Sequence, residues 1–330
     1  MRIVFSEDPR DFQRRDWSGL VHGDPAGTFF HQPSFLKLYW EEFGETPEHL
    51  LLGFGELGGA QVGAVAFERV GETLRVLGGT EITDYMGPVA APPHRAAFAE
   101  ALVAALDARD DWATADLWGL AADGGWYELL SDAATARGLA VEEAADHDGV
   151  APFLALAPTW ESYLESLPSK SRHEIKRKAK KLEAEAGPWR IVTAGTQDVD
   201  ALLDRFVELH RMSEGPKGVF MVPGMEIFFR RLAETFLSSG AFRLHFIEAG
   251  GQLAAGTIGF RWADRFYLYN SAFDRSWGSL APGMVLVGED IRLAIEDGAS
   301  GFDMLKGDYD YKYRFGAVPR AVRRMVVRRG

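Results

Sequence analysis

Apolar positions repeat at three- and four-residue spacing in some stretches and alternate in others. The switch between the two periods marks out the elements. Leu202, Leu203, Phe206 and Leu209 share one face of a helix predicted over Asp198–Ser213. Helices are also predicted over Trp160–Leu167, Ser169–Ala186, Met225–Leu237 and Pro282–Asp297, the second stopped by Gly187-Pro188. Alternating or Val-rich runs predict strands over Trp189–Ala194, Phe242–Glu248, Leu253–Trp262, Arg265–Ser271, Gly301–Leu305 and Arg320–Arg328. Gly250-Gly251 and Ala263-Asp264 read as hairpin turns, Glu214–Gly218 as a loop, and a short helix is expected between the last two strands.

The first half carries the same order. Strands are predicted over Arg2–Phe5, His49–Glu56, Gln61–Val70, Thr73–Leu77, Ala113–Trp118, Ala140–Ala144 and Ala151–Leu156. Helices are predicted over Asp8–Leu20, Pro33–Phe43, Arg95–Arg109 and Trp126–Arg137. Glu56-Leu57-Gly58-Gly59 leads to a strand passing Phe67, as Glu248-Ala249-Gly250-Gly251 leads to one passing Phe260. Ala115-Asp116-Leu117-Trp118 likewise lines up with Phe302-Asp303-Met304-Leu305. Two matches in one order at nearly one offset predict a duplicated α/β domain with a mixed sheet in each copy, divided as 1–157 and 158–330.

The length of 330 residues agrees with two domains, and 47% apolar with 25% charged residues is globular composition. No apolar run reaches membrane-helix length, and the start Met1–Asp8 lacks a signal-peptide core, so the chain reads as cytoplasmic. The absence of cysteine excludes disulfides, thiol nucleophiles and thiolate-held metals. The net charge of −12 is uneven: residues 1–150 hold 10 basic and 26 acidic side chains, residues 151–330 hold 26 and 22. An anionic ligand therefore belongs with the second half, while the acidic first half also serves solubility.

Gly53-Phe54-Gly55-Glu56-Leu57-Gly58 fits a dinucleotide fingerprint, but a Val-rich strand follows where a helix is required, so these glycines read as a hairpin. The eight histidines are scattered, and no metal site is expected. Five features carry candidate chemistry. The run Ser169–Lys181 holds seven Lys or Arg and one acid on a helix, with Lys170 and Arg172 in the first turn, against the helix dipole. Cations placed there suit an anionic partner, or form part of a solvated basic face. Since a helix turns about 100° per residue, Lys170 and Arg172 should face a cleft and Lys178 and Lys181 solvent. Ser276–Met284 joins a strand to a Pro-initiated helix, whose free N–H groups suit a phosphate. Phe302–Gly316 crowds Lys306, Asp308, Tyr311 and Lys312 at a strand end, offering proton donors and a cation for an oxyanion. Tyr267 and Tyr269 share one strand face as substrate contacts or plain core, with Asp274 shortly after. Asp84-Tyr85 occupies the matching place in the first half, either orienting an amine or starting a turn.

The block 169–181, the run Asp274…Pro282-Gly283…Gly298 and the ending Asp303-x-x-Lys306-Gly307…Tyr311-Lys312 resemble the GNAT-fold acyltransferases of the BioF2-like/CelD-like group, which are related to Fem-type aminoacyltransferases. The resemblance implies tandem GNAT-like domains, the first non-catalytic and the second carrying the active cleft. It implies acyl-CoA as co-substrate, its pyrophosphate at Ser279, Pro282, Gly283 and Met284, although Arg275–Leu280 matches the usual loop only in part. Tyr311-Lys312 looks like the Phe-Lys element of Fem-type enzymes. The expected reaction is direct attack of an amine, on a small molecule or peptide, upon the donor carbonyl. Lys312 and Tyr311 are the candidates for stabilising charge, and Asp84 or Asp308 for accepting a proton. Lys170, Arg172, Tyr85, Tyr269, Asp274 and Lys306 are the candidates for binding substrate. An aminoacyl-tRNA is the alternative donor, and a catalytically inactive ligand-binding pair is the rival class.

Overall fold

Strand β1 (Arg2–Ser6) pairs antiparallel with β2 (Leu50–Leu57), β2 with β3 (Ala60–Val70), and β3 with β4 (Thr73–Val76) and the two-residue β5 (Val89–Ala90). Gly58 and Gly59, both at positive φ, make the tight β2–β3 turn, which confirms the hairpin reading of the glycine run. Helix Arg95–Asp107 then carries the chain back to β6 (Thr114–Ala121), parallel to β4. Strand β7 (Ala140–Ala144) stands two places further out, at the sheet edge.

A second sheet follows the same plan. It comprises β8 (Phe153–Ala155), β9 (Trp189–Thr193), β10 (Phe242–Ala249), β11 (Gln252–Trp262), β12 (Arg265–Phe273) and β13 (Gly301–Asp303), ordered β8-β13-β12-β11-β10-β9. Helix Pro282–Glu296 connects β12 to the parallel β13. One face of this sheet packs against that helix through Phe266, Leu268, Val287, Ile291 and Phe302. On the other face Phe206 and Phe229, from helices Val199–Arg211 and Pro223–Phe236, meet one another, and Phe229 meets Tyr269.

The position beside β6 is filled by β14 (Val322–Arg328), antiparallel to both β6 and β7. The equivalent position beside β13 is filled by β8, antiparallel to it. The two compact units are therefore Met1–Ala151 with Arg320–Gly330, and Pro152–Pro319. This differs from the expected division at 157/158, because period and composition place a strand on a face but do not choose its sheet. The duplication itself is observed. Phe67 pairs with Val76 and Phe260 with Tyr267, while Asp116 lies opposite Arg75 and Asp303 opposite Tyr267, so the ladders correspond to within a residue.

The computed structural model describes residues 1–145, 149–213 and 219–329; the loop expected at 214–218 lies outside the described residues. Where a single helix was predicted over 8–20, two short ones stand, Asp11–Arg14 and Ser18–Gly23. The carboxylate of Asp16 accepts from both the N–H and the hydroxyl of Ser18, a local turn that competes with helical continuation. No helix of the described residues is long and apolar enough to cross a membrane.

His31 gives the first unit an acid-sensitive joint. Its Nδ1 accepts from the N–H of Thr28 at 3.2 Å and lies 2.8 Å from the Thr28 hydroxyl, and burial lowers its pKa to about 4. Below about pH 6.5 the unfolded chain takes up a proton that the folded chain refuses until about pH 4. Stability should thus fall by up to about 3 kcal/mol as pH drops through that window. His31→Gln should flatten the slope when denaturant unfolding is compared at pH 7 and pH 5; an unchanged slope would assign the acid sensitivity elsewhere.

Candidate active site

Strands β12 and β13 run side by side only from Arg265–Gly301 to Tyr267–Asp303. The expected strand 301–305 ends early because Asp303 Oδ1 takes the N–H of Leu305 at 2.9 Å and Leu305 turns to φ 57°. β12 continues without β13 to Phe273, still paired with β11. A cavity of about 510 Å³ opens there, lined by Thr257 of β11 and by Ser271 and Phe273 of β12. Its other walls are Gly278 and Ala281 of the following turn, Gly283, Met284 and Val287 of helix Pro282–Glu296, and the rings of Tyr309 and Tyr311.

The turn leading to the helix is braced from three directions. Asp274 accepts from the N–H and hydroxyl of Ser276, at 2.9 and 2.7 Å, and lies 3.7 Å from Arg205. The hydrogen bonds from Ser276 hold its carboxyl below the ordinary range. Lys181 donates to the carbonyl of Ser279 at 2.9 Å. Ala281 adopts φ 51°, a strained conformation for a residue with a Cβ, and Pro282 opens the helix. The N–H groups of Met284 and Val285 both return to the Ala281 carbonyl and Pro282 has none. Of these helix-opening donors only that of Gly283 can turn to a ligand, fewer than the sequence suggests. Of the four residues expected to meet a pyrophosphate, Gly283 and Met284 line the cavity, whereas Ser279 and Pro282 do not.

The segment after β13 forms the opposite wall. Lys312 is 3% exposed, and its ammonium donates to the carbonyls of Leu305 (2.8 Å) and Lys306 (2.7 Å). It therefore clamps the kink that parts the strands, a structural role beyond the charge-stabilising one expected from the sequence. Tyr309 and Tyr311 stack with centroids 6.3 Å apart, and burial, then Tyr309, raises the Tyr311 hydroxyl to about 12. Asp308 sits at the surface and accepts from Tyr313; that bond raises the Tyr313 hydroxyl to about 12.

The remaining candidates separate. Tyr269 packs on Phe229 and Phe260, on the face away from helix Pro282–Glu296. Lys170 lines a second cleft of about 450 Å³ with Ser171, Glu174, Asp310, Tyr313 and Arg314, and Arg172 lines neither cavity. Lys178 and Lys181 do not simply face solvent: the first lies 3.8 Å from Glu174 and the second reaches Ser279, because the helix packs lengthwise on its neighbour. Asp84 and Tyr85 belong to the first unit, where the buried Tyr85 hydroxyl accepts from Arg320. Among the described residues no three His, Asp or Glu side chains gather to hold a metal. Thr257 was missed from sequence, since only the register of β11 on β12 brings it opposite Ser271.

The two sheets share one plan, and in the second the parted parallel strands stand beside a cavity that reaches a helix N-terminus. Residues 169–313 match the family model described as an acetyltransferase (GNAT) domain. Over nearly its whole length the chain shares its fold with FemX: TM-score 0.68, 11% identity, 98% of this chain and 97% of that one. A conserved protein of unknown function from Bacteroides thetaiotaomicron aligns with TM-score 0.64 at 13% identity, covering 99% of this chain and 100% of its own. L-PGS from Bacillus licheniformis aligns with TM-score 0.56 at 14% identity, covering 90% and 92%. No curated protein matches the sequence.

Proposed function

We propose that the second unit moves an acyl group from an acyl-CoA thioester to an amine by direct attack, with the first unit non-catalytic. The observation that carries this is the largely apolar cavity that opens beside β12 beyond its pairing with β13 and reaches the helix start. An extended thioester arm fits such a slot, its peptide-like amides reaching strand-edge backbone and its phosphates the N–H of Gly283. Tyr311 keeps its proton at neutral pH and so can donate to the carbonyl oxygen or the leaving sulfur. Lys312 holds the wall that presents it. Asp308 stands as the candidate proton acceptor, and Lys170 with Arg172 as the cations for an anionic end of donor or acceptor.

One observation favours a second donor, an aminoacyl-tRNA. The helix start offers few N–H groups, whereas Lys178 and Lys181 line up along the neighbouring helix. Gly278 separates the two readings. A Cβ there meets nothing within 4 Å, so a side chain can grow into open space at the cavity wall. Gly278→Leu should weaken acetyl-CoA binding at least about tenfold by calorimetry, about 1.4 kcal/mol, with unchanged melting. Undiminished acetyl-CoA binding in this variant, or binding of charged tRNA alone by the wild type, would overturn the acyl-CoA reading.

A further inference from the structure

Strand β12 runs unbroken beside β11 with one extra residue: Leu268 stands opposite Gly259, and Asn270 opposite Ile258. Its counterpart in the first unit makes the same passage differently. β4 ends at Val76, opposite Phe67 of β3, and β5 resumes with Val89 opposite Ala64. Three steps along β3 therefore take thirteen residues of the neighbouring chain, where a continuous strand takes three. Inserted segments usually lie over the surface, because a buried loop strands backbone polar groups. Residues 77–88 instead turn inward: Thr83 and Tyr85 are 1% exposed and Met86 is 3% exposed.

What they fill is defined by β6. This strand pairs with β4 only as far as Asp116 opposite Arg75, then runs on to Ala121. The space beyond such a parting is where the second unit has its cavity. In the first unit Met86 stands there, and its N–H donates to the carbonyl of Gly119 on β6 at 3.0 Å. Gly119 lies at φ 76°, and a Cβ there would come within 2.6 Å of the Met86 nitrogen, so the segment closes up against a residue without a side chain. The space left among Tyr85, Met86, Gly119 and Leu120 is about 10 Å³, against about 510 Å³ in the second unit. That is at the limit for a single water. The segment is also latched. The N–H groups of Ile82 and Thr83 return to the Gly79 carbonyl, both at 3.0 Å, and the N–H of Ala90 just beyond it donates to the buried Asp24 at 2.8 Å. The Tyr85 hydroxyl accepts from Arg320, whose guanidinium lies 4.7 Å from the centre of the Tyr85 ring.

We propose that residues 77–88 are a built-in stopper. The chain itself occupies the ligand slot of the first unit, with the Met86 N–H making the strand-edge bond that a ligand amide would make. The protein therefore takes up one donor molecule, in the second unit. The stopper stands on strand register and burial; the count of donors rests on the acyl-CoA reading above. A ligand entering the first slot would have to replace the burial of two large side chains as well as the bond to Gly119.

Two measurements on the intact wild-type chain test this. Calorimetric titration with acetyl-CoA should give one equivalent per chain. Residue-resolved hydrogen exchange should find the Met86 N–H as slow as the N–H groups of β6, within about tenfold, because it is released only when the unit unfolds. A second equivalent of acetyl-CoA would overturn the stopper by showing that the first slot admits a ligand. Exchange at Met86 more than about 10²-fold faster than in β6 would overturn it too, since the segment would then be a lid that opens on its own. If no acetyl-CoA binds while Met86 exchanges slowly, the acyl-CoA reading fails and the stopper stands.

Discussion

Lys312→Met is expected to lower stability by about 3 kcal/mol and acyl transfer by about 10²-fold together. The ammonium of Lys312 satisfies two carbonyls at the point where Leu305 turns left-handed. Methionine fills similar space but leaves both oxygens without that donor. A hydrogen bond from a charged group contributes about 1.5–3 kcal/mol, and an orphaned buried acceptor adds its own cost. The kink would relax, and with it the placement of Tyr309 and Tyr311 along the cavity. Lys312→Gln can restore one of the two bonds and should fall between. Denaturant unfolding and thiol release, measured on the same samples, separate the two effects. Stability within about 0.5 kcal/mol of wild type would show that the clamp is dispensable. Lowered stability with full turnover would remove Lys312 and its loop from the chemistry.

The second large effect belongs to the first unit. Asp24→Ala should destabilise it by about 3–5 kcal/mol. Asp24 accepts from the N–H groups of Ala26 and Ala90, both at 2.8 Å, and from Trp126 Nε1 at 3.2 Å, with Arg95 at 3.4 Å. Its side chain is fully buried, and burial raises its pKa despite those donors. Removing it strands two backbone donors and leaves Arg95 without its buried counter-charge. Asp24→Asn is no rescue, since its NH₂ would point at one of the N–H groups it must accept from. A change below about 1 kcal/mol in denaturant unfolding would mean that these donors find other partners, and that Asp24 is not the pin of β5 and its surroundings.

Local pattern carried most of the elements. Pro33–Phe43, Ala140–Ala144 and Ser169–Ala186 stand where their caps and periods put them, since each signal is contained within the segment. Long-range choices were not legible. Nothing local tells Val322–Arg328 to leave the second sheet for the first, because an alternating strand suits any edge with an apolar face. The site divided along the same line. Gly283, Met284 and Tyr311 sit on segments whose turn chemistry announces them, and they do line the cavity. Thr257 lies inside an ordinary strand, and only strand register brings it to the cavity. Lys312 was legible as a residue of consequence, but its burial against two carbonyls was not.

The exchange of strands also governs the order in which the protein is built. β6 and β7 are made early, yet the place between them is held by β14, so the first sheet carries an unfilled slot until synthesis has passed through the second unit. An open slot between two strands exposes unpaired N–H and C=O groups, a template for any passing strand. The second unit, which lies within one unbroken stretch, can close first. The usual vectorial sequence, early residues folding before late ones, is thus reversed. Until β14 emerges, the first unit should depend on chaperones to keep its open slot from pairing wrongly.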